Sequence, residues 1–194
     1  MSLKVLGILG SPCKDGNTAS LLNAALDGAR EAGAETERMD LVDMTVNPCM
    51  ECRECDSGKG CRQHNDDMTA IYRKIREVDA IVMASPIFFM GVTAQMKAMI
   101  DRCQCFWIER YLQHIRVYDG RRRPKGLFVS CAGSPKPQIF EPAIHVVKAF
   151  FAAIDYEYAG EVVLGHTDDP ELCLRSRGVL EAARVAGRRI CEQP

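Results

Sequence analysis

Cys49, Cys52, Cys55 and Cys61 follow one another with the spacing C-x2-C-x2-C-x5-C. Three thiolates placed three residues apart in a loop curl round one compact object, and Gly58 and Gly60 let the chain return with a fourth. Runs of this kind suit thiolates converging on a [4Fe-4S] cubane. In two-cluster ferredoxins the last cysteine of such a run serves the other cluster, but no second quartet exists here, so Cys61 is free to complete the same one. Zinc is a second reading, although structural zinc usually pairs two C-x2-C knuckles across a longer spacer. Reduced thiols without metal are a third. The Asn47-Pro48 turn leads into this segment, and residues 47–64 make up the candidate cluster-binding loop.

A second group of residues lies in the stretch Lys4 to Thr18. Val5, Leu6, Ile8 and Leu9 form the near-continuous apolar run of a strand buried on both faces of a parallel sheet. Gly10 ends it, and from Thr18 the spacing turns helical through Leu21, Leu22, Ala25, Ala29 and Ala32. A strand that turns sharply into a helix aims the helix's unpaired N–H groups, and the positive end of its dipole, at the space above the strand. Phosphate binds in such places. Ser11, Asn17 and Thr18 add hydroxyl and amide groups and Lys14 adds positive charge, so the loop suits a doubly charged phosphomonoester; an ordinary capped turn is the plainer alternative. Neither G-x-G-x-x-G nor a Walker lysine is present. Ser85-Pro86-Ile87-Phe88-Phe89-Met90-Gly91 follows a third apolar strand, and its exposed aromatic character suits either a flat heteroaromatic ring or a subunit contact.

The first of these loops resembles that of the flavodoxin-like NADPH-dependent FMN reductases, which usually read Gly-Ser-Pro-Arg-x-x-Gly-Asn-Thr. This chain has Gly10-Ser11-Pro12-Cys13-Lys14-Asp15-Gly16-Asn17-Thr18, with Cys13 in place of the usual arginine and Lys14 as the cation of the loop. The loop after the third strand is similar to Ser-Pro-x-Tyr-x, with Phe88 where tyrosine is common, which keeps ring packing and loses a hydroxyl contact. After the fourth strand the family commonly carries two glycines, of which only Gly133 remains beside Cys131 and Ala132. Lys97 and Asp101-Arg102 match a Lys-x-x-x-Asp-Arg pattern and are read as structural, Arg102 as a packing and ion-pair residue.

With the cysteine quartet added, the chain resembles the iron-sulfur flavoproteins, a branch of these reductases, from the phosphate loop through at least Arg102. The resemblance implies FMN held by Ser11, Cys13, Lys14, Gly16, Asn17 and Thr18, by Ser85, Pro86, Ile87, Phe88, Phe89 and Gly91, and by Cys131, Ala132 and Gly133. It also implies one [4Fe-4S] cluster on the four grouped cysteines. The expected activity is that of a flavin-dependent oxidoreductase taking electrons from a ferredoxin-like donor to a small-molecule acceptor such as a quinone or oxygen species, with no catalytic acid or base. Two alternatives remain open: an NAD(P)H-dependent FMN or quinone reductase whose cysteine loop holds zinc or nothing, and a flavin-binding electron carrier without turnover.

The elements that must position these groups alternate regularly. Strands are expected at Val5–Leu9, Thr36–Val42, Ala80–Ala84, Gly126–Ser130 and Glu157–Leu164. Helices are expected from Thr18 to Gly33, Asp66 to Asp79, Thr93 to about Cys105, Pro142 to Ile154 and Glu171 to Ile190. Such alternation gives an α/β, doubly wound parallel sheet of five strands in the flavodoxin-like order 2-1-3-4-5, which puts ligands at the carboxyl ends of the strands and the cysteine-rich loop after strand 2. At 194 residues a single domain, 1–194, is expected. A net charge of -1 calls for neither nucleic acid nor an anionic membrane. Ten cysteines, no visible signal peptide and no apolar run that spans a bilayer fit a cytoplasmic protein with reduced thiols. Arg121-Arg122-Arg123 reads as a solvated turn. The apolar run Phe106, Trp107, Ile108, Tyr111 and Leu112 exceeds what one helix of a small domain buries, so a homodimer or homotetramer is expected.

Overall fold

The computed structural model describes residues 2–63, 65–116, 118, 122–167, 169 and 172–192. Its strands are β1 (Lys4–Leu9), β2 (Glu35–Asp40), β3 (Ala80–Pro86), β4 (Lys125–Cys131) and β5 (Glu157–Leu164). They form one sheet, all pairs parallel, in the order β2-β1-β3-β4-β5. The helices are α1 (Asn17–Glu31), α2 (Met68–Glu77), α3 (Ala94–Arg102), α4 (Gln104–Tyr111), α5 (Glu141–Ala153), α6 (Leu172–Arg175) and α7 (Arg177–Cys191). None of the described helices is long and apolar enough to cross a membrane.

Alternation along the central strands sends side chains to two separate cores. Leu6 and Ile8 of β1, Ile81 and Met83 of β3 and Phe128 of β4 pack with apolar residues of α2, α3, α4 and α5. Val5 and Leu9, Val82 and Ala84, and Leu127 and Val129 face α1 and α7 instead. On that second side the packing is unusually close. A Cβ on Gly28 of α1 would fall 1.9 Å from the Arg184 carbonyl oxygen, and one on Gly187 of α7 would fall 1.9 Å from that of Ala25. Two helices lying backbone to backbone therefore cover one face of the sheet.

Three expected elements differ. Leu41 and Val42 leave the second strand and form a short 3-10 turn, Leu41–Asp43, with Leu41 buried and Val42 exposed. The third helix breaks at Cys103 into α3 and α4. The Tyr72 hydroxyl donates to the Arg102 carbonyl at 2.9 Å, and Phe106 N bonds Cys103 O instead, which breaks the regular ladder. The closing helix breaks at Ser176 (φ -92, ψ 68) into α6 and α7, and Glu171, its expected start, lies outside the described residues. Arg122 and Arg123 are not free in solvent: Arg122 donates to the carbonyls of Cys191 and Glu192, and Arg123 to those of Asp155 and Tyr156.

Candidate flavin and metal sites

The loops after β1, β3 and β4 meet at the carboxyl ends of the three central strands. Gly10 N bonds the Ala84 carbonyl at 2.7 Å, Thr93 Oγ1 donates to Gly10 O at 2.6 Å, and Ile87 N bonds Cys131 O at 2.8 Å. The Thr18 hydroxyl hydrogen-bonds the Cys131 thiol, and burial pushes that thiol up to about 12, so it remains a neutral thiol. α1 begins after Gly16, whose backbone is extended, and no side chain caps it. The uncapped end leaves first-turn N–H groups for an anion. Gly16 sits against Cys13, its Cβ position only 3.1 Å from the sulfur.

The individual side chains serve this site unequally. Ser11 is buried and its hydroxyl accepts from Cys13 N at 3.1 Å, shaping the loop from inside. Lys14 is turned away to a 2.7 Å ion pair with Asp43, which holds its ammonium pKa above the ordinary value. Asn17 directs its amide to the segment after β5: Nδ2 donates to Asp169 O at 2.8 Å, and Oδ1 accepts from Cys173 N at 2.8 Å. What Asn17 offers a phosphate is therefore its backbone N–H. Ser85 is fully buried, accepting from Thr93 N at 3.0 Å and donating to the Pro86 carbonyl, so it braces the mouth from within.

The mouth itself is apolar. Phe88, Phe89 and Met90 are exposed, Phe89 completely, while Pro86, Ile87 and Gly91 are partly covered. Phe88 and Gly91 exchange two 3.0 Å backbone bonds around Phe89 (φ 49) and Met90 (φ 65). Bulky residues at positive φ are costly, of order 1–3 kcal/mol each, and such strain gathers at ligand clamps. Gly133 is exposed at the far side, and Ala132 is buried and bonded to Leu164 O and Thr167 N. Spacing gave no hint that Thr167 and Asp169, in the segment after β5, would wall this site, because the contacts run through backbone carbonyls.

The cysteine loop emerges after β2 on the same edge of the sheet. Cys49, Cys52, Cys55 and Cys61 all line one cavity of about 220 Å³, together with Arg53, Arg102 and Gln104. Glu51 (φ 52) and Arg53 (φ 59) flank Cys52 in the left-handed region, and Gly58 (φ 74) and Gly60 (φ 76) turn the chain back. Among the described residues no three cysteine, histidine or acidic groups gather closely enough for a single ion. His64 lies outside the described residues.

The chemistry of the four thiols fits a thiophilic cluster, and the loop is held from below. Arg102 and Asp66 form a 2.5 Å ion pair whose side chains are each 1% exposed. Despite its burial, the Cys61 thiol is held below its ordinary pKa by the polar groups beside it, Tyr72, Arg102 and the Gln63 N–H. Burial raises the Cys55 thiol, with Asp56 adding to it.

A five-stranded parallel sheet in this order, with helices on both faces, defines a flavodoxin-like protein. Residues 3–154 match the model of the NADPH-dependent FMN reductases, and the chain belongs to that family. It is 43% identical over 100 residues to an iron-sulfur flavoprotein of Methanocaldococcus jannaschii, covering 52% of this chain and 51% of that one. The chain thus spans about half the length of the iron-sulfur flavoproteins it matches. An NAD(P)H dehydrogenase (quinone) of Archaeoglobus fulgidus is 28% identical over 186 residues, 91% of either chain. Among solved structures, an NAD(P)H:quinone oxidoreductase from Methanothermobacter marburgensis superposes with a TM-score of 0.70 at 18% identity, covering both chains completely, which is a likeness of fold.

Proposed function

We propose that this chain is a flavin-dependent oxidoreductase that holds FMN at the loops after β1, β3 and β4 and one [4Fe-4S] cluster on Cys49, Cys52, Cys55 and Cys61. The observation that carries the reading is the single cavity lined by all four thiols, on the same sheet edge as the phosphate loop. When bound, a cluster of this kind exchanges one electron at a time and FMN one or two, so the pair converts single electrons into pairs. The chain's own part is to bind and orient. First-turn N–H groups of α1 receive the phosphate, the exposed Phe88–Met90 turn packs the ring, and the loop of residues 47–63 brings its thiols together. The donor is ferredoxin-like and the acceptor a quinone or oxygen species; no side chain of the protein acts as acid or base.

The test is an anaerobic purification followed by quantifying iron, acid-labile sulfide, zinc and FMN per chain. About four iron, four sulfide and one FMN are expected. FMN with zinc and no sulfide, even after reconstitution, would overturn the cluster assignment. A second reading has its own observation in the likeness to an NAD(P)H dehydrogenase along 91% of the chain. In that case NADPH alone bleaches the bound flavin rapidly without a ferredoxin.

A further inference from the structure

We propose that Arg102 is a positioning residue that closes the 47–63 loop as a preformed thiol-lined pocket, independently of any metal. The inference rests on the reading above only in taking the four thiols as ligands. Burying a guanidinium is expensive unless every charge and donor it carries is answered. Here the answers come from the two ends of one loop and from Asp66 just beyond it. Nη1 donates to the Asn47 carbonyl at 3.0 Å, where the loop begins, and Nη2 to the Gln63 carbonyl at 2.5 Å, where it ends. Asp66 neutralises the charge and itself accepts from Asn47 N at 3.1 Å and Met68 N at 3.2 Å, tying the first residue of the loop to the start of α2.

Further contacts give the loop its shape. Gln63 donates to the Pro48 carbonyl at 2.7 Å and accepts from Met50 N, pinning the first turn of the loop to its last residue. Tyr72 donates to the Arg102 carbonyl at 2.9 Å and stands beside the Cys61 thiol, so the helix break that carries Arg102 also meets the fourth cysteine. Arg102 lines the thiol cavity itself. Among the described residues its Nε is buried without a hydrogen-bond partner, so the loop ends and Asp66 hold the side chain through its two terminal nitrogens. A planar fork spans two carbonyls and a carboxylate at once, which an ammonium does not. Arg102→Lys therefore keeps the charge and removes the clamp.

The experiment uses the full chain with FMN bound and metal removed, wild type against Arg102→Lys. Amide hydrogen exchange is followed by mass spectrometry. Exchange within residues 47–63 is expected to rise about 10-fold or more in the variant, with β1 and β3 unchanged. On anaerobic reconstitution with ferrous iron and sulfide, the variant is expected to bind iron about 10–100-fold more weakly, as when outer-shell partners of metal ligands are removed. Unchanged exchange in 47–63 overturns the clamp. So does unchanged iron affinity alongside faster exchange, because the pocket is then not what the clamp supplies. A wild-type chain that takes up no iron overturns the ligand reading above, while the exchange data still decide the clamp. If Arg102→Lys fails to retain FMN, Asp66→Asn, which keeps the shape and removes the countercharge, replaces it with the same readouts.

Discussion

Asn17 directs its whole side-chain amide to one segment, and that choice decides what its substitution does. Its three polar contacts, to Thr167 O, Asp169 O and Cys173 N, lie 150 to 156 residues away in sequence. Asn17→Ala is therefore expected to cost stability, about 1–3 kcal/mol for leaving buried partners unpaired, and not only flavin affinity. A thermal melt of the FMN-free chain checks this: the midpoint should fall by roughly 2–4 °C per kcal/mol for a chain of this size. The position was recognisable from the Gly-Asn-Thr run, but its structural duty was not, since no local pattern announces a partner so far along the chain. The cysteine quartet is the opposite case, because all four residues fall within one short loop and line one cavity there. Cys52→Ser is expected to abolish bound iron while FMN is retained, measured as iron and flavin per chain; full iron occupancy in the variant would sink the cluster assignment.

At the scale of elements, the contact of α1 with α7 controls where the N-terminal end of α1, the proposed phosphate site, sits. Gly28 and Gly187 permit an approach that a methyl group on either would block against backbone. Gly187→Ala should destabilise by about 1–3 kcal/mol through overpacking and should weaken FMN binding by tilting α1, both read from one titration of stability with and without flavin. The outer edge of the same contact is electrostatic, with Glu31 of α1 bonded by Arg184 and Arg188 of α7. Those guanidinium groups hold the Glu31 carboxyl below its ordinary pKa. A depressed carboxylate contributes stability above the unfolded value, about 4.3, and loses it as pH falls through the folded one. Urea midpoints of the Glu31→Gln variant should thus fall less between pH 5 and 3 than those of the wild type, with the difference shrinking in high salt because the pair is exposed. Element types were legible from apolar runs and helical spacing. The breaks at Cys103 and Ser176 were not, since the first depends on a hydroxyl from α2 reaching the Arg102 carbonyl.

For the whole molecule, the alternation of strands and helices was enough to give the sheet order, because right-handed parallel crossovers leave few other arrangements. What it left open is the surface. Trp107 (38% exposed), Tyr111 (44%), Leu112 (60%) and Ile115 (49%) project from α4 and the residues after it, beside the helix face that supports the cysteine loop. Large apolar side chains gathered at one end of a short helix are costly to leave in water, at about 25 cal/mol per Å² of apolar surface. A second copy of the chain is the occupant we expect, which would bring two thiol loops and two flavin mouths into one assembly. Light scattering at micromolar concentration should report a dimer or tetramer, and Leu112→Glu should shift it toward monomer while leaving FMN content and the melt of the separated chain unchanged. A wild-type monomer under those conditions would remove the support for a subunit contact at this surface.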